Sequence, residues 1–186
     1  MGGAVVEHCA NNAADRALGE YWEREFCKMA WRVGLSFTPM QIGRTLSVQA
    51  YLQARNRWRH MTLPDITVWT YPGQHHEIKH KDPTTRNTFG LETYRFDALM
   101  WFAAETRQDV LYTIHNHALA GGRSVKNNRI EHWLTVNIHD LDGKWAAKAW
   151  GFSYLNGRKR EVPIYYWSTS LWTPLADYWR LLEIEY

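Results

Sequence analysis

The sequence predicts a mixed α/β fold, a central sheet flanked by helices, on three observations. Residues 12–31 carry Ala14, Leu18, Trp22, Phe26 and Met29 or Ala30 at helical spacing. Residues 65–70 and 75–80 read as two short extended runs joined by a turn on Pro72-Gly73. A second helical repeat, Leu91, Tyr94, Ala98, Trp101, Phe102 and Glu105, leads into an extended run at 110–115. Helices that interrupt strands in this way bury their apolar stripes against a sheet.

The first helix starts at Asn11 or Asn12, both good N-cap residues, and stops at Gly34. Thr38-Pro39 and Gly43 punctuate the stretch that follows, and residues 45–58 read as a short helix or an irregular segment. Pro64 marks the start of the next strand, because proline cannot donate to a ladder. Asp82-Pro83 breaks the chain before the second helix, which ends near Arg107. A polar loop at 121–128 precedes a fourth strand at 132–138, which turns at Asp142-Gly143 into an extended stretch at 144–154. Residues 177–185 read as a short helix or a terminal strand. The sequence shows neither internal repeats nor low-complexity tracts, so one domain is expected, with a core at about 12–140 and a Trp-rich C-terminal extension at about 141–186.

A chain of 186 residues can bury a core without disulfides or structural metal. Its hydrophobic fraction of 45% and charged fraction of 22% exclude a largely disordered protein. The formal net charge of +3 leans toward an anionic partner but falls short of the basic excess of a DNA-coating protein. Eleven Trp and ten Tyr supply core, interface or platforms for stacking bases. Cys9 and Cys27 have neither zinc-finger nor redox-pair spacing, and no apolar run is long enough to span a bilayer. A soluble protein of the cytoplasm, or of a host cytoplasm if viral, is the expectation, with no membrane partner.

The chemistry-bearing residues concentrate on the expected hairpin. Asp65 begins one strand and Glu77 sits in the next, close enough across the pair to share a cation. Glu77 and Lys79 are two apart, so both side chains face one way while Ile78 points to the core. Such a set suits phosphodiester hydrolysis, which needs charge stabilisation, an activated water and a cation near the phosphate. Asp65 and Glu77 would hold magnesium or manganese together with the backbone carbonyl of Ile78, and Lys79 would orient the attacking water.

Pro64-Asp65, eleven intervening residues, then Glu77-Ile78-Lys79 resembles the signature of the PD-(D/E)xK nuclease superfamily. Upstream, Gly19-Glu20-Tyr21-Trp22-Glu23-Arg24-Glu25-Phe26 is similar to the first-helix pattern of archaeal Holliday junction resolvases, although Leu18 stands where many of these carry a basic residue. Together with the helix and strand after the motif, the resemblance covers about residues 15–116. It implies a restriction-endonuclease-like fold and a metal-dependent nuclease acting on DNA, including structure-specific cleavage such as junction resolution. It also selects Glu23 as a helix carboxylate supporting the centre, and it makes a homodimer an expectation, with the Trp-rich C-terminal segment as its interface.

Lys81 and Arg86 follow the motif strand as candidates to hold DNA phosphates, and Tyr94 is a candidate hydrogen-bond donor from the second helix. Taken singly, these are more simply surface charges and a core tyrosine. One alternative is a catalytically inactive nucleic-acid-binding protein of the same fold. Another is a histidine metalloprotein built on His75, His76, His115 and His117, which lacks third and fourth ligands at zinc spacing.

Overall fold

The computed structural model describes residues 12–39, 64–69, 73–122, 128–155 and 158–181. The expected N-cap Asn11, the segment 45–58, most of the polar loop and the Pro72 half of the hairpin turn lie outside them.

Helix α1 (Asn12–Arg32) ends as its spacing predicts: Gly34 takes φ +77°, and Leu35 N–H donates to Ala30 O at 2.9 Å. Three strands follow, β1 (Phe37–Pro39), β2 (Ile66–Val68) and β3 (Gln74–Lys81), each antiparallel to the one before. Next come β4 (Thr88–Glu92), α2 (Thr93–Thr106) and β5 (Asp109–Asn116). Strand β5 lies parallel to β3, so α2 forms part of the crossover between them.

The remainder comprises α3 (His117–Ala120), a 3-10 turn (Ile130–His132), β6 (Trp133–Asn137) and α4 (Ile138–Leu141). After these run β7 (Ala147–Leu155), β8 (Arg158–Ser168), a second 3-10 turn (Thr169–Leu171), β9 (Thr173–Pro174) and α5 (Leu175–Leu181). A six-stranded mixed sheet has the order β1-β2-β3-β5-β6-β9, and a three-stranded antiparallel sheet the order β4-β8-β7.

The expected mixed sheet with flanking helices is therefore present, with one correction in the second helix. Leu91 belongs to β4, where it pairs with Tyr165 and is fully buried. Its three-residue spacing from Tyr94 matches a helix, but pairing with the later strand β8 overrides that local pattern.

Each face of the large sheet carries its own core. On one face, Trp22, Phe26, Met29 and Ala30 of α1 and Trp179 of α5 pack on Ile66, Val68, Ile78 and Trp133. On the other, Phe96, Leu99 and Phe102 of α2 pack with Val110, Tyr112, Ile114, Trp167 and Trp172. Of the C-terminal tryptophans, Trp167, Trp172 and Trp179 are buried within the chain whereas Trp145 and Trp150 are exposed, and β9 joins the large sheet with α5 packed beside it. Trp167 also donates its indole N–H to Leu141 O at 2.7 Å, which ties the small sheet to α4. No helix among the described residues is long and apolar enough to cross a membrane.

That bond gives the small sheet a measurable anchor. Trp167→Phe keeps an aromatic ring but removes the donor and part of the packing, and is expected to destabilise the fold by about 1–3 kcal/mol. Urea unfolding followed by circular dichroism checks this; an unchanged midpoint would mean that the indole contributes nothing to holding the two sheets together.

Candidate active site

The described pairing of β2 with β3 ends at Ile66–His76, whereas β3 continues to Lys81 along β5. Asp65 closes the edge that β2 leaves. Its N–H donates to His76 O at 2.9 Å, and its Oδ2 accepts from Ile78 N–H at 2.7 Å. The carboxylate therefore occupies the position of a ladder partner at the strand's end.

Alternation along β3 does the rest. Ile78 is 4% exposed and belongs to the α1-side core. Glu77 and Lys79 take the opposite face, toward α2. Lys79 Nζ lies 2.5 Å from Glu77 Oε1 and 3.6 Å from Asp65 Oδ2, and it donates to Ile78 O at 2.9 Å. Arg95, from the first turn of α2, brings its guanidinium to 3.1 Å from the same Glu77 oxygen. Glu77 is fully buried, and its Oε2 has no hydrogen-bond partner among the described residues.

Electrostatics follow from this crowding. Burial, and then the charge of Glu77, push the Asp65 carboxyl up to about 7, against the smaller opposing pull of Lys79. Burial alone would lower Lys79, but the carboxylates of Asp65 and Glu77 outweigh it and hold the ammonium above the ordinary lysine value. The group is thus a firm cation and a hydrogen-bond donor in the protein as it stands. Two buried acids thus face two cations, Lys79 and Arg95, and the four charges balance when Asp65 is ionised.

Glu23 projects from α1, which packs on β3. Burial raises its carboxyl, and it senses the opposing charges of Lys79 and Glu77, so it belongs to the same electrostatic neighbourhood. Lys81 continues the Glu77–Lys79 face; its ammonium donates to Gly90 O and lies 6.0 Å from the Tyr112 ring centre. Burial lowers its pKa to about 8 despite the nearby Glu92. Arg86 is exposed in the turn before β4, where its N–H donates to Thr84 Oγ1, and it does not enter the charge cluster. Tyr94 is half-buried beside Arg95 at the start of α2.

Sequence reasoning overlooked Arg95 and Glu92. Glu77 is the strongest influence on Arg95, which stays firmly charged, with Glu92 and Asp65 adding to it. A signal was present, because Arg95 falls three, four and seven residues before Ala98, Leu99 and Phe102, on the buried stripe of the helix. A charge on such a stripe calls for a buried partner.

The histidines go to separate tasks. His75 bonds to Thr67 and Gln108, and His76 bonds to Thr113 on the other side of the strand. The His115 ring stacks on Trp22 at 3.6 Å, with His117 packed at 5.6 Å. Among the described residues no group of three or more His, Cys, Asp or Glu is placed to hold a metal ion.

No family model matches the chain, and no curated protein matches it. Among solved structures, Hjc of Archaeoglobus fulgidus, a Holliday junction resolvase from an archaeal hyperthermophile, is similar at 12% identity over 87% of this chain and 94% of that one, with a TM-score of 0.49.

Proposed function

We propose that the chain is a magnesium- or manganese-dependent nuclease that hydrolyses phosphodiester bonds in DNA, with Asp65, Glu77 and Lys79 at its centre and Glu23 in support. One observation supports the reading: two buried carboxylates and an ammonium converge where the β2–β3 pairing ends, and one Glu77 oxygen there is buried with no hydrogen-bond partner among the described residues. A purely structural ion cluster would satisfy that oxygen from the protein.

The donor atoms are of the kind a hard divalent cation takes, the oxygens of Asp65, Glu77 and the Ile78 carbonyl, and an ion would have to displace or share them with the Lys79 ammonium that lies against all three. When bound, such an ion supplies Lewis-acid stabilisation of the phosphate and an acidified water. Lys79, kept protonated by its acidic neighbours, donates to the attacking water or to a non-bridging phosphate oxygen. Arg95 fixes the Glu77 carboxylate from the α2 side and adds a second cation facing the substrate's charge. Glu23 would hold an outer-shell water or a second ion. A homodimer belongs to the reading, because it would present two such centres to two strands at once.

In a fluorescent DNA assay with Mg²⁺, Asp65→Ala and Lys79→Ala are each expected to lower cleavage by about 100-fold or more, with far-ultraviolet circular dichroism unchanged. Cleavage that survives both substitutions removes the assignment. Intact binding with no cleavage in the parent indicates instead a binding protein of this fold.

The raised Asp65 carboxyl makes a second expectation. In the metal-free protein the folded state keeps a proton that the unfolded chain releases, because the carboxyl moves from 3.8 to about 7. This group's contribution to stability is therefore full below about pH 4, falls as pH rises toward 7, and is lost above it. Cation binding needs the ionised acid, so Mn²⁺ should raise Tm by several degrees at pH 8 and little at pH 5. Equal shifts at both values, or none at either, would show that these carboxylates do not bind the ion.

A further inference from the structure

Strand β4 pairs with residues 164–168 of β8, whereas residues 158–163 pair only with β7 among the described residues, so β7 and β8 run on past β4 as a two-stranded ribbon. Residues directly opposite each other in an antiparallel pair share a face. Lys148 stands opposite Tyr165, Trp150 opposite Pro163 and Phe152 opposite Glu161, which puts all six on the side of the small sheet that α2 meets at Tyr165 through Phe96. Further along β7 that side faces solvent: Trp150 is 68% and Phe152 53% exposed. Trp145 stacks on Tyr165 at 4.7 Å, and the Lys148 ammonium lies 5.2 Å from the same ring centre. Gly151, on the reverse side, leaves room for Ile164 against the strand, so neither exposed ring is needed to fill the ribbon's packed side.

Charge singles out the partner. Residues 144–163 contain five basic groups, Lys144, Lys148, Arg158, Lys159 and Arg160, against one acid, Glu161, a net of +4. The whole chain carries +3, so the remainder is net −1 and this hairpin holds all of the excess positive charge. Lys144, Lys148 and Arg160 are exposed. A second copy pairing here would set +4 against +4, which opposes self-association through this face. A polyanion that carries flat, apolar rings meets both features, with cations for its phosphates and aromatic side chains for its bases. Trp150 and Phe152 lie two residues apart, about 7 Å along one strand, and so offer successive stacking surfaces. In a continuous duplex the base faces are covered by their neighbours and cannot reach such rings.

We infer that the β7–β8 ribbon is a non-catalytic docking surface for single-stranded nucleic acid, with Trp150 and Phe152 stacking on its bases and the hairpin's net charge attracting its phosphates. With the nuclease reading as the basis, the substrate is then a nucleic acid that carries an unpaired segment, held by the ribbon apart from the residues that cut. None of Asp65, Glu77, Lys79 and Arg95 belongs to the ribbon, so binding there is separable from cleavage.

The test uses the full chain in Ca²⁺ and follows, by fluorescence anisotropy, its binding to a labelled oligothymidylate of about 16 nucleotides and to a blunt duplex of the same length. Trp150→Ala and Phe152→Ala, both surface substitutions, are each expected to weaken oligothymidylate binding by about five- to tenfold and to leave duplex binding unchanged. If one variant fails to fold, the other decides the matter alone. No oligothymidylate binding by the parent, unaltered binding in the folded variants, or equal weakening of strand and duplex overturns the inference. The parent and Trp150→Ala are expected to sediment alike; a dimer that becomes a monomer in the variant would show that a second copy occupies the face, and overturns it too. Mg²⁺-dependent cleavage by the parent with unaltered strand binding in both variants would sink the ribbon and spare the nuclease reading; strand binding that depends on the two rings, without cleavage, does the reverse.

Discussion

The hydrogen bond from Ile78 N–H to the Asp65 carboxylate is the contact on which the rest of the site depends. Pairing between β2 and β3 stops just before it, so the side chain substitutes for a missing strand. That substitution satisfies a main-chain donor and at the same time brings an acid against Glu77 and Lys79. Were β2 longer, the edge would be an ordinary ladder and the acid would have no reason to turn inward. A local shortage of backbone partners thus becomes a concentration of charge, and burial then magnifies every interaction within it.

Support for this arrangement comes from both faces of the sheet. Parallel pairing with β5 fixes β3 along its whole length, and that pairing requires a crossover, which carries α2 across one face. The helix delivers Arg95 to Glu77. On the opposite face α1 packs on Ile78 and supplies Glu23. The charged cluster is assembled from elements distant in sequence, yet each arrives through hydrophobic packing that would exist without it.

Much of this was legible locally. Period-two alternation assigned Ile78 to the core and Glu77 with Lys79 to the other face, and Gly34 ended α1 at its predicted position. The helical stripe of Trp22 and Phe26 identified the buried side of α1. Less legible were the features set by long-range pairing. Leu91 looked helical because its spacing is ambiguous over one turn, and only β8, more than sixty residues later, makes it a strand residue. Arg95 escaped notice because its partner lies on another element, although its position on an apolar stripe was a usable clue. The small sheet and its exposed aromatic face depend on β4 meeting β8 and β7, a junction that no local pattern announces.

The alternation on β3 has a consequence for how this chain can vary. Ile66 and His76 set the register of the short β2–β3 pair, and with only three residues in β2 little else defends it. Because β5 holds β3 in place, a slip of one position would turn Ile66 and Val68 of β2 away from the α1-side core. Insertions in the connecting turn are therefore tolerable only when they loop out and leave the strands in phase.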